Sequence, residues 1–115
     1  MSLRFEILFF DPVVVYTLHG KITSDPDFQV LEKEVFSLLN KNYYRVVFDL
    51  SELTHTNSSG IAFFMRTLTK TRIMNGDLVL ANINGNVEKI FAIAKLNEIY
   101  TNYPSRDEAV AHFNA

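Results

Sequence analysis

The chain contains no cysteine, and only four glycines and three prolines occur among its 115 residues. Without cysteine it forms neither a disulfide framework nor a thiolate metal site, so the expected location is cytoplasmic. No apolar run approaches the roughly 20 residues that span a bilayer. The start of the chain, Met-Ser-Leu-Arg-Phe-Glu, also lacks the cationic and apolar segments of a secretory signal. We therefore expect no direct membrane insertion.

An excess of charge of one sign is also missing. The chain has 11 basic and 13 acidic residues, which gives a formal net charge of −2. A protein that binds nucleic acid by neutralising phosphates needs a basic surface, so we expect no nucleic-acid partner. The histidines at positions 19, 55 and 112 lack the spacing of metal ligands. We therefore expect no metal and no cofactor.

Motifs of common enzyme classes are absent as well. The chain has no Gly-x-Ser-x-Gly nucleophile elbow. It also has no Gly-x-x-x-x-Gly-Lys-Ser/Thr loop that would bind nucleotide phosphates. We therefore do not expect this protein to be an enzyme.

What the chain does contain is the composition of a folded domain. Apolar residues make up 48% of the sequence and charged residues 21%, which is typical of globular proteins. The length is enough to bury one hydrophobic core. Because no internal repeat, low-complexity segment or linker is present, we expect a single domain over residues 1–115.

Hydrophobic periodicity predicts that strands and helices alternate along the chain. An opening hairpin is predicted around a turn at Asp11-Pro12. The elements predicted after it are a helix capped by Asp25, a buried strand at Val46–Leu50, a helix from Ser58 or Ser59 to Met74, a strand at Leu78–Ala81, a helix from Asn84 or Asn86, a short strand at Ile99–Thr101, and a helix after a capping box at Ser105–Glu108. This order favours an α/β fold with a mixed, mostly parallel central sheet and about four helices.

The most informative segment leads from the buried strand into the second helix and contains Asn57-Ser-Ser-Gly60. Ser58 and Ser59 are candidate helix caps, and they also form a position where one phosphate group would change what the surface binds. Thr56 is interpreted as a cap or turn residue that supports the loop. Asp49, at the end of the strand, is expected to accept hydrogen bonds from loop N–H groups.

The run Phe63-Phe-Met65 in the second helix is mostly core by its spacing. Only some of these side chains can point inward, so we expect Phe63 to be partly exposed. A partly exposed Phe63 is a candidate for a partner-binding surface.

Two stretches of the sequence resemble the STAS domains of the anti-sigma factor antagonist family. The first is Phe48-Asp-Leu-Ser-Glu-Leu-Thr-His-Thr-Asn-Ser-Ser-Gly-Ile-Ala, which is similar to the strand, loop and helix of the family signature. The second is Val15-Tyr-Thr-Leu-His-Gly-Lys-Ile22, which is similar to the family's apolar strand that ends in glycine. The order and lengths of the predicted elements agree with this family across nearly the whole chain.

The resemblance implies a regulatory cycle without catalysis by this chain. In the family, the first serine of the motif is phosphorylated by a partner that is both a serine kinase and an anti-sigma factor, and a phosphatase reverses this. Ser58 matches that phosphoacceptor, with Ser59 as the alternative. The partner-binding residues that we expect on this basis are Asp25, Asn57, Ser58, Ser59, Gly60 and Phe63, with Asp49 and Thr56 as structural support of the loop.

One position departs from the family pattern. The residue before the phosphoacceptor is usually aspartate, and in this chain it is Asn57. Asparagine still caps a helix but carries no charge. The departure keeps a second interpretation open, in which the chain is a STAS adapter subunit of a transporter or signalling complex that is not phosphorylated. Self-association is left open by the sequence.

Overall fold

Strands and helices alternate along the chain after an initial hairpin. The computed structural model describes residues 3–114; residues 1, 2 and 115, which the predicted domain includes, lie outside this range. The elements are β1 (Leu3–Phe10), β2 (Val13–Ile22), α1 (Asp25–Asn40), β3 (Arg45–Thr56), α2 (Ser58–Ile73), β4 (Asp77–Ala81), α3 (Gly85–Ile93), a 3₁₀ helix (Leu96–Glu98), β5 (Asn102–Tyr103) and α4 (Arg106–Asn114).

The five strands form one sheet in the order β1-β2-β3-β4-β5. β1 pairs with β2 in antiparallel orientation, and every other neighbouring pair is parallel. This confirms the predicted α/β class with a mixed, mostly parallel sheet and four α-helices. The sheet order follows the chain order because each parallel crossover places the next strand beside the last.

The sheet has an apolar core on each face. On one face, α1, α2 and α3 pack on alternate residues of the strands, among them Tyr16, Phe48 and Leu80. On the other face, α4 packs through Ala109 on a smaller set that includes Val47. β3 lies between β2 and β4 and is covered on both faces, which agrees with its sequence, since positions 46–50 are apolar except for Asp49.

Three predicted boundaries are wrong, and each has a local cause. The central strand continues beyond Leu50 to Thr56, because register shifts in the pairing of β2 with β3 prolong the ladder. The last strand lies at Asn102–Tyr103, since a 3₁₀ helix takes up the preceding residues. The first helix is capped by Ser24 and begins at Asp25.

The predicted exposure of Phe63 is also wrong. Phe63 has an exposed fraction of 0%. Its ring stacks between those of Phe28 and Phe48, at centroid distances of 5.3 and 6.0 Å and interplanar angles of 24° and 11°. α2 therefore turns this side chain toward both the sheet and α1, and Phe63 is a core residue without access to a partner.

We predict that Phe63→Ala lowers the free energy of unfolding by about 3–5 kcal/mol, because it removes a buried ring and leaves a cavity. Urea denaturation measures this change. The matched control on the same helix is Ile73→Ala, since Ile73 is 70% exposed and its truncation should stay within about 0.5 kcal/mol. A similar loss for both variants would contradict the assigned packing.

Candidate functional site

Two side chains at the end of β3, and that of Asn57 just after it, bind the end of β2 and the start of the segment that leads into α1. The Thr54 hydroxyl donates to the Gly20 carbonyl at 3.0 Å, and the Thr56 hydroxyl donates to the Ile22 carbonyl at 3.1 Å. The Asn57 amide donates to the Thr23 carbonyl at 2.8 Å. We call these three contacts the loop clamp. It holds the start of α2 beside the start of α1.

Of the two hydroxyl groups in the loop clamp, the sequence predicted a supporting role for Thr56 only, and the role of Thr54 was missed. The signal is the alternation Thr54-His-Thr56, which places two hydroxyls on the same side of an extended strand. Thr56 was expected to be a cap or turn residue, and it is the last residue of β3. Its expected support of the loop is provided through the carbonyl of Ile22.

Asn57 is the cap of α2. Its side-chain oxygen accepts hydrogen bonds from the backbone N–H groups of Ser59 and Gly60, at 3.1 and 3.3 Å. Its amide nitrogen simultaneously belongs to the loop clamp. The side chain therefore satisfies two otherwise unpaired donors of the helix and ties the helix to the neighbouring loop.

The two serines follow this cap and are not caps themselves. Ser58 is the first residue of α2 and is exposed, whereas Ser59 is half-buried. Within residues 3–114 the Ser58 hydroxyl forms no hydrogen bond. Ser58 is thus the more accessible residue of the pair.

Gly60 is buried and is required by close packing. A Cβ atom at this position would lie 1.9 Å from the Thr56 hydroxyl oxygen and 2.9 Å from the Ile22 carbonyl oxygen. The expectation that Gly60 is a partner-binding residue is therefore wrong, because the helix backbone sits directly against the loop clamp at this point. Gly60 lets α2 begin close to the carboxyl end of β2.

The neighbouring start of α1 adds charge to the same surface. Asp25 is exposed at the first position of α1. The carboxylate of Asp27 accepts hydrogen bonds from the backbone N–H groups of Thr23 and Ser24, at 3.0 and 3.1 Å. Asp27 therefore orders the loop that the loop clamp holds, and Asp25 is left to face solvent.

The positively charged side chain of Arg66 lies between α1 and α2, beyond the first turn of α2. Arg66 of α2 donates to both carboxylate oxygens of Glu32, at 2.8 and 3.1 Å, and its guanidinium lies 5.3 Å from the ring centroid of Phe28. The hydrogen bond with Glu32 raises the pKa of Arg66, and the charge of Asp25 acts in the same direction. This ion pair connects α1 to α2 beside the candidate site.

Within residues 3–114, Asp49 forms no hydrogen bond with the segment from Asn57 to Gly60. Its carboxylate accepts hydrogen bonds from the backbone of Ser51 and from the side-chain amide of Asn82, both at 3.1 Å. The prediction was that Asp49 accepts hydrogen bonds from loop N–H groups, but Ser51 lies within β3. The loop that Asp49 binds is the one between β4 and α3, through the side chain of Asn82. The expected support of the serine loop by Asp49 is wrong.

Two further properties of the described chain bear on function. Between residues 3 and 114 no three histidine, aspartate or glutamate side chains come together in a way that would hold a metal ion. None of the described helices is long and apolar enough to cross a membrane.

The fold and this loop match a known class of protein. The family model of the STAS domain matches residues 4–109, and the chain belongs to this family. A curated relative, BtrV of Bordetella bronchiseptica, is 29% identical over 103 residues, which cover 90% of this chain and 88% of that protein. BtrV is named, provisionally, as an anti-sigma factor antagonist.

Solved structures of anti-sigma factor antagonists have the same fold. The protein from Mycobacterium paratuberculosis superimposes with a TM-score of 0.84 at 20% identity, covering 99% of this chain and 96% of its own. SpoIIAA of Bacillus, in its unphosphorylated form, superimposes with a TM-score of 0.84 at 16% identity, covering 96% of each chain. At these identities the likeness shows the shared fold alone.

We predict that Gly60→Ala destabilises the protein by about 1–3 kcal/mol, because the added methyl group must displace Thr56 or the backbone of Ile22. Thermal or urea denaturation measures the loss. The neighbouring change Ser58→Ala serves as control, since it removes only an exposed hydroxyl and should stay within about 0.5 kcal/mol. Full stability of Gly60→Ala would show that the close approach is absent.

We predict that Asn57→Ala lowers the free energy of unfolding by about 1–2 kcal/mol, because α2 loses its cap. Asn57→Ser should lose less, since serine keeps an acceptor for the helix N–H groups but lacks the donor to Thr23. Urea denaturation of both variants separates the cap from the clamp. Equal losses for alanine and serine would assign the whole effect to the bond with Thr23.

Proposed function

We propose that this protein is an anti-sigma factor antagonist-like regulator whose partner docks on the surface formed by Asp25, Asn57 and Ser58. The partner is an anti-sigma factor or related serine kinase, and phosphorylation of Ser58 switches the complex off. One observation carries this proposal: the Ser58 hydroxyl is exposed and unbonded within residues 3–114, at a helix start that the loop clamp holds in place. Ser59 is the alternative acceptor.

The similar proteins support the proposed class, that of the anti-sigma factor antagonists. BtrV and the solved relatives are named as anti-sigma factor antagonists, and SpoIIAA has been solved in unphosphorylated and phosphorylated forms. A protein with the same fold therefore accommodates a phosphate. A phosphatase is the further partner that a reversible cycle requires.

The electrostatics at the start of α2 favour a phosphate on Ser58. Phosphorylation adds about −1.5 to −2 charges, and the positive end of the helix dipole stabilises negative charge by roughly 0.3–1 kcal/mol at an exposed site. Asn57 is neutral, so it caps the helix without repelling the phosphate. The N–H groups of Ser59 and Gly60 stay with Asn57, and the phosphate remains directed to solvent, where a partner meets it.

The same phosphate opposes docking. A partner that covers Ser58 must remove water from a dianion without a basic group of this loop to neutralise it, and Asp25 adds a like charge to the surface. Changing a complex from nearly all bound to nearly all free takes about 5.5 kcal/mol. Desolvation and like-charge repulsion at the centre of an interface are of this order.

In this proposal the chain is a substrate of a kinase and has no catalytic role of its own. A serine nucleophile would need a base, and the hydroxyl of Ser58 has no hydrogen-bond partner among residues 3–114. A screen of wild type and Ser58→Ala with activated esters tests this point. Hydrolysis that depends on Ser58 would overturn it.

We predict that the chain isolated from its native cells carries phosphate on Ser58. Wild type and Ser59→Ala should both be phosphorylated, and Ser58→Ala should not, because only the exposed hydroxyl is accessible to a kinase. Mass spectrometry of the tryptic peptide containing both serines provides the measurement. Phosphate that persists in Ser58→Ala and disappears in Ser59→Ala would assign the role to Ser59.

Substitutions of Ser58 also test binding to the partner. With a partner captured on the immobilised wild-type chain and then purified, Ser58→Ala should bind within about two-fold of wild type, whereas Ser58→Glu should bind at least about ten-fold more weakly. Urea denaturation of Ser58→Glu is the control, because the helix start tolerates the charge and stability should change by less than about 0.5 kcal/mol. Equal affinity of both variants contradicts the switch.

The neutral Asn57 also supports the second candidate, a STAS adapter that is never phosphorylated. An adapter would use the same docking surface, and its complex would be permanent. Stable co-purification of the native chain with a transporter or sensor, without phosphate on either serine, identifies the adapter. Phosphate on Ser58 together with a kinase-like partner identifies the regulator.

A further inference from the structure

β1 is an edge strand whose outer side is unpaired within residues 3–114. In the sheet order β1-β2-β3-β4-β5, no described strand lies beyond β1. All residues of β1 pair with β2 on its inner side, and this register contains no bulge. Alternate residues of such a strand direct their backbone N–H and C=O groups outward, where another strand can bind them.

The second half of β1 is apolar and exposed. Leu8, Phe9 and Phe10 have exposed fractions of 38%, 54% and 37%. The ring of Phe9 lies 5.2 Å from that of Tyr43, which follows α1. The ring of Phe10 lies on the opposite face of the sheet, 5.1 Å from the guanidinium carbon of Arg106 in α4. Proteins commonly protect edge strands with lysine, proline or a bulge, and β1 contains none of these.

We propose that a second copy of this chain occupies the edge. The two β1 strands pair in antiparallel orientation about a two-fold axis at Ile7, and the two sheets become one continuous sheet. In this register every position from 4 to 10 has an opposite residue. Phe5 of each copy lies opposite Phe9 of the other, and such aromatic cross-strand pairs are stabilising. The apolar half of the strand is therefore covered by its own symmetry mate.

Charge complementarity favours this register. Glu6 lies on the same face of β1 as Leu8 and Phe10, because alternate residues of a strand share a face. With Ile7 on the axis, Glu6 of one copy lies opposite Leu8 and diagonal to Phe10 of the other. The carboxylate of Glu6 is thereby brought toward Arg106, beside the Phe10 ring of the second copy. Each dimer contains this contact between opposite charges twice.

Neighbouring registers are less favourable. A two-fold axis at Glu6 would place the two carboxylates directly opposite one another, which is destabilising. An axis at Phe5 would pair only positions 3–7 of the described strand and leave Leu8–Phe10 uncovered. The pattern of charge and apolar side chains thus specifies one alignment of two identical strands.

The dimer leaves the docking surface around Ser58 accessible. Phe10 pairs with Val13, which in turn pairs with Arg45 at the start of β3. Ser58 follows Thr56, the last residue of β3. The apolar half of β1 therefore lies at the other end of the sheet from Ser58. A dimer presents two such docking surfaces, and its formation does not depend on the proposed function.

Sedimentation equilibrium of the whole chain measures the association. An interface of one strand from each copy is small, so we expect a reversible dimer with a Kd of about 1–100 µM. Leu8→Glu and Leu8→Lys remove the same apolar side chain and differ in the charge that they place opposite Glu6. Leu8→Lys should dimerise about ten-fold more tightly than Leu8→Glu, because attraction replaces repulsion at both symmetry-related contacts.

The matched controls are Ile93→Glu and Ile93→Lys. Ile93 is 78% exposed on α3, away from β1, and these variants make the same changes in net charge. Both should keep the wild-type Kd within about two-fold. Circular dichroism of the dilute Leu8 variants verifies that the monomer remains folded.

Disulfide formation between single-cysteine variants provides a second measurement, since the chain itself contains no cysteine. Opposite residues in an antiparallel pair have Cα atoms about 4.5–5.5 Å apart, within the range that a disulfide spans. A mixture of Glu6→Cys and Leu8→Cys should therefore form a mixed disulfide dimer under mild oxidation. Neither variant should crosslink alone, because its two cysteines are diagonal and about 7–8 Å apart. Mass spectrometry identifies the species.

A reversible dimer with the expected order of the Leu8 variants and a mixed disulfide supports the proposal. A chain that stays monomeric up to about 1 mM overturns it. A dimer for which the two Leu8 variants have equal or reversed affinities, or in which the mixed disulfide is absent, overturns the assigned pairing. Because each measurement uses this chain alone, none of these outcomes depends on whether Ser58 is phosphorylated.

Discussion

The loop clamp is the constraint on which the rest of the candidate site depends. Three side chains at and just after the end of β3 donate to carbonyl groups at and just after the end of β2, and each bond joins residues 34 positions apart in the sequence. Each of these hydrogen bonds contributes about 0.5–1.5 kcal/mol, and together they hold the end of β2 against the start of α2. The loop clamp brings the starts of α1 and α2 together, forces a glycine at position 60, and leaves Ser58 at the surface.

α2 connects this surface to the core within two turns. Its first residue, Ser58, is exposed, whereas Phe63, in the second turn, is stacked between two other rings at 0% exposure. A helix anchored in this way presents its first turn in a fixed position, because a shift of the start would disturb the aromatic stack. Under the proposed switch, a partner would therefore meet Ser58 on a fixed surface, and a phosphate there would change the charge while the shape of the fold is retained.

Asn57 caps α2 without placing a negative charge beside the proposed phosphate on Ser58. Its oxygen faces the helix N–H groups and its nitrogen faces Thr23. An aspartate at this position would offer the same acceptor, but it would bring a carboxylate oxygen toward the Thr23 carbonyl and a negative charge next to a phosphate on Ser58. The amide therefore fits this chain's own loop, and its neutrality suits both a phosphorylated regulator and an unmodified adapter.

The sequence by itself determined the alternation of strands and helices, the mixed sheet and the position of the serine pair at the start of α2, because period, capping and turn residues act within a few positions. It also identified the STAS resemblance. The tertiary structure alone decided the burial of Phe63 and Gly60, and the pairing of Asp49 with Asn82. Each of these depends on groups that are distant in sequence. The pairing of β2 with β3 places Ile22 against Gly60, the rotation of α2 buries Phe63, and the pairing of β3 with β4 brings Asp49 next to Asn82. Local periodicity contains no information about such alignment, since it depends on how complete elements pack against one another.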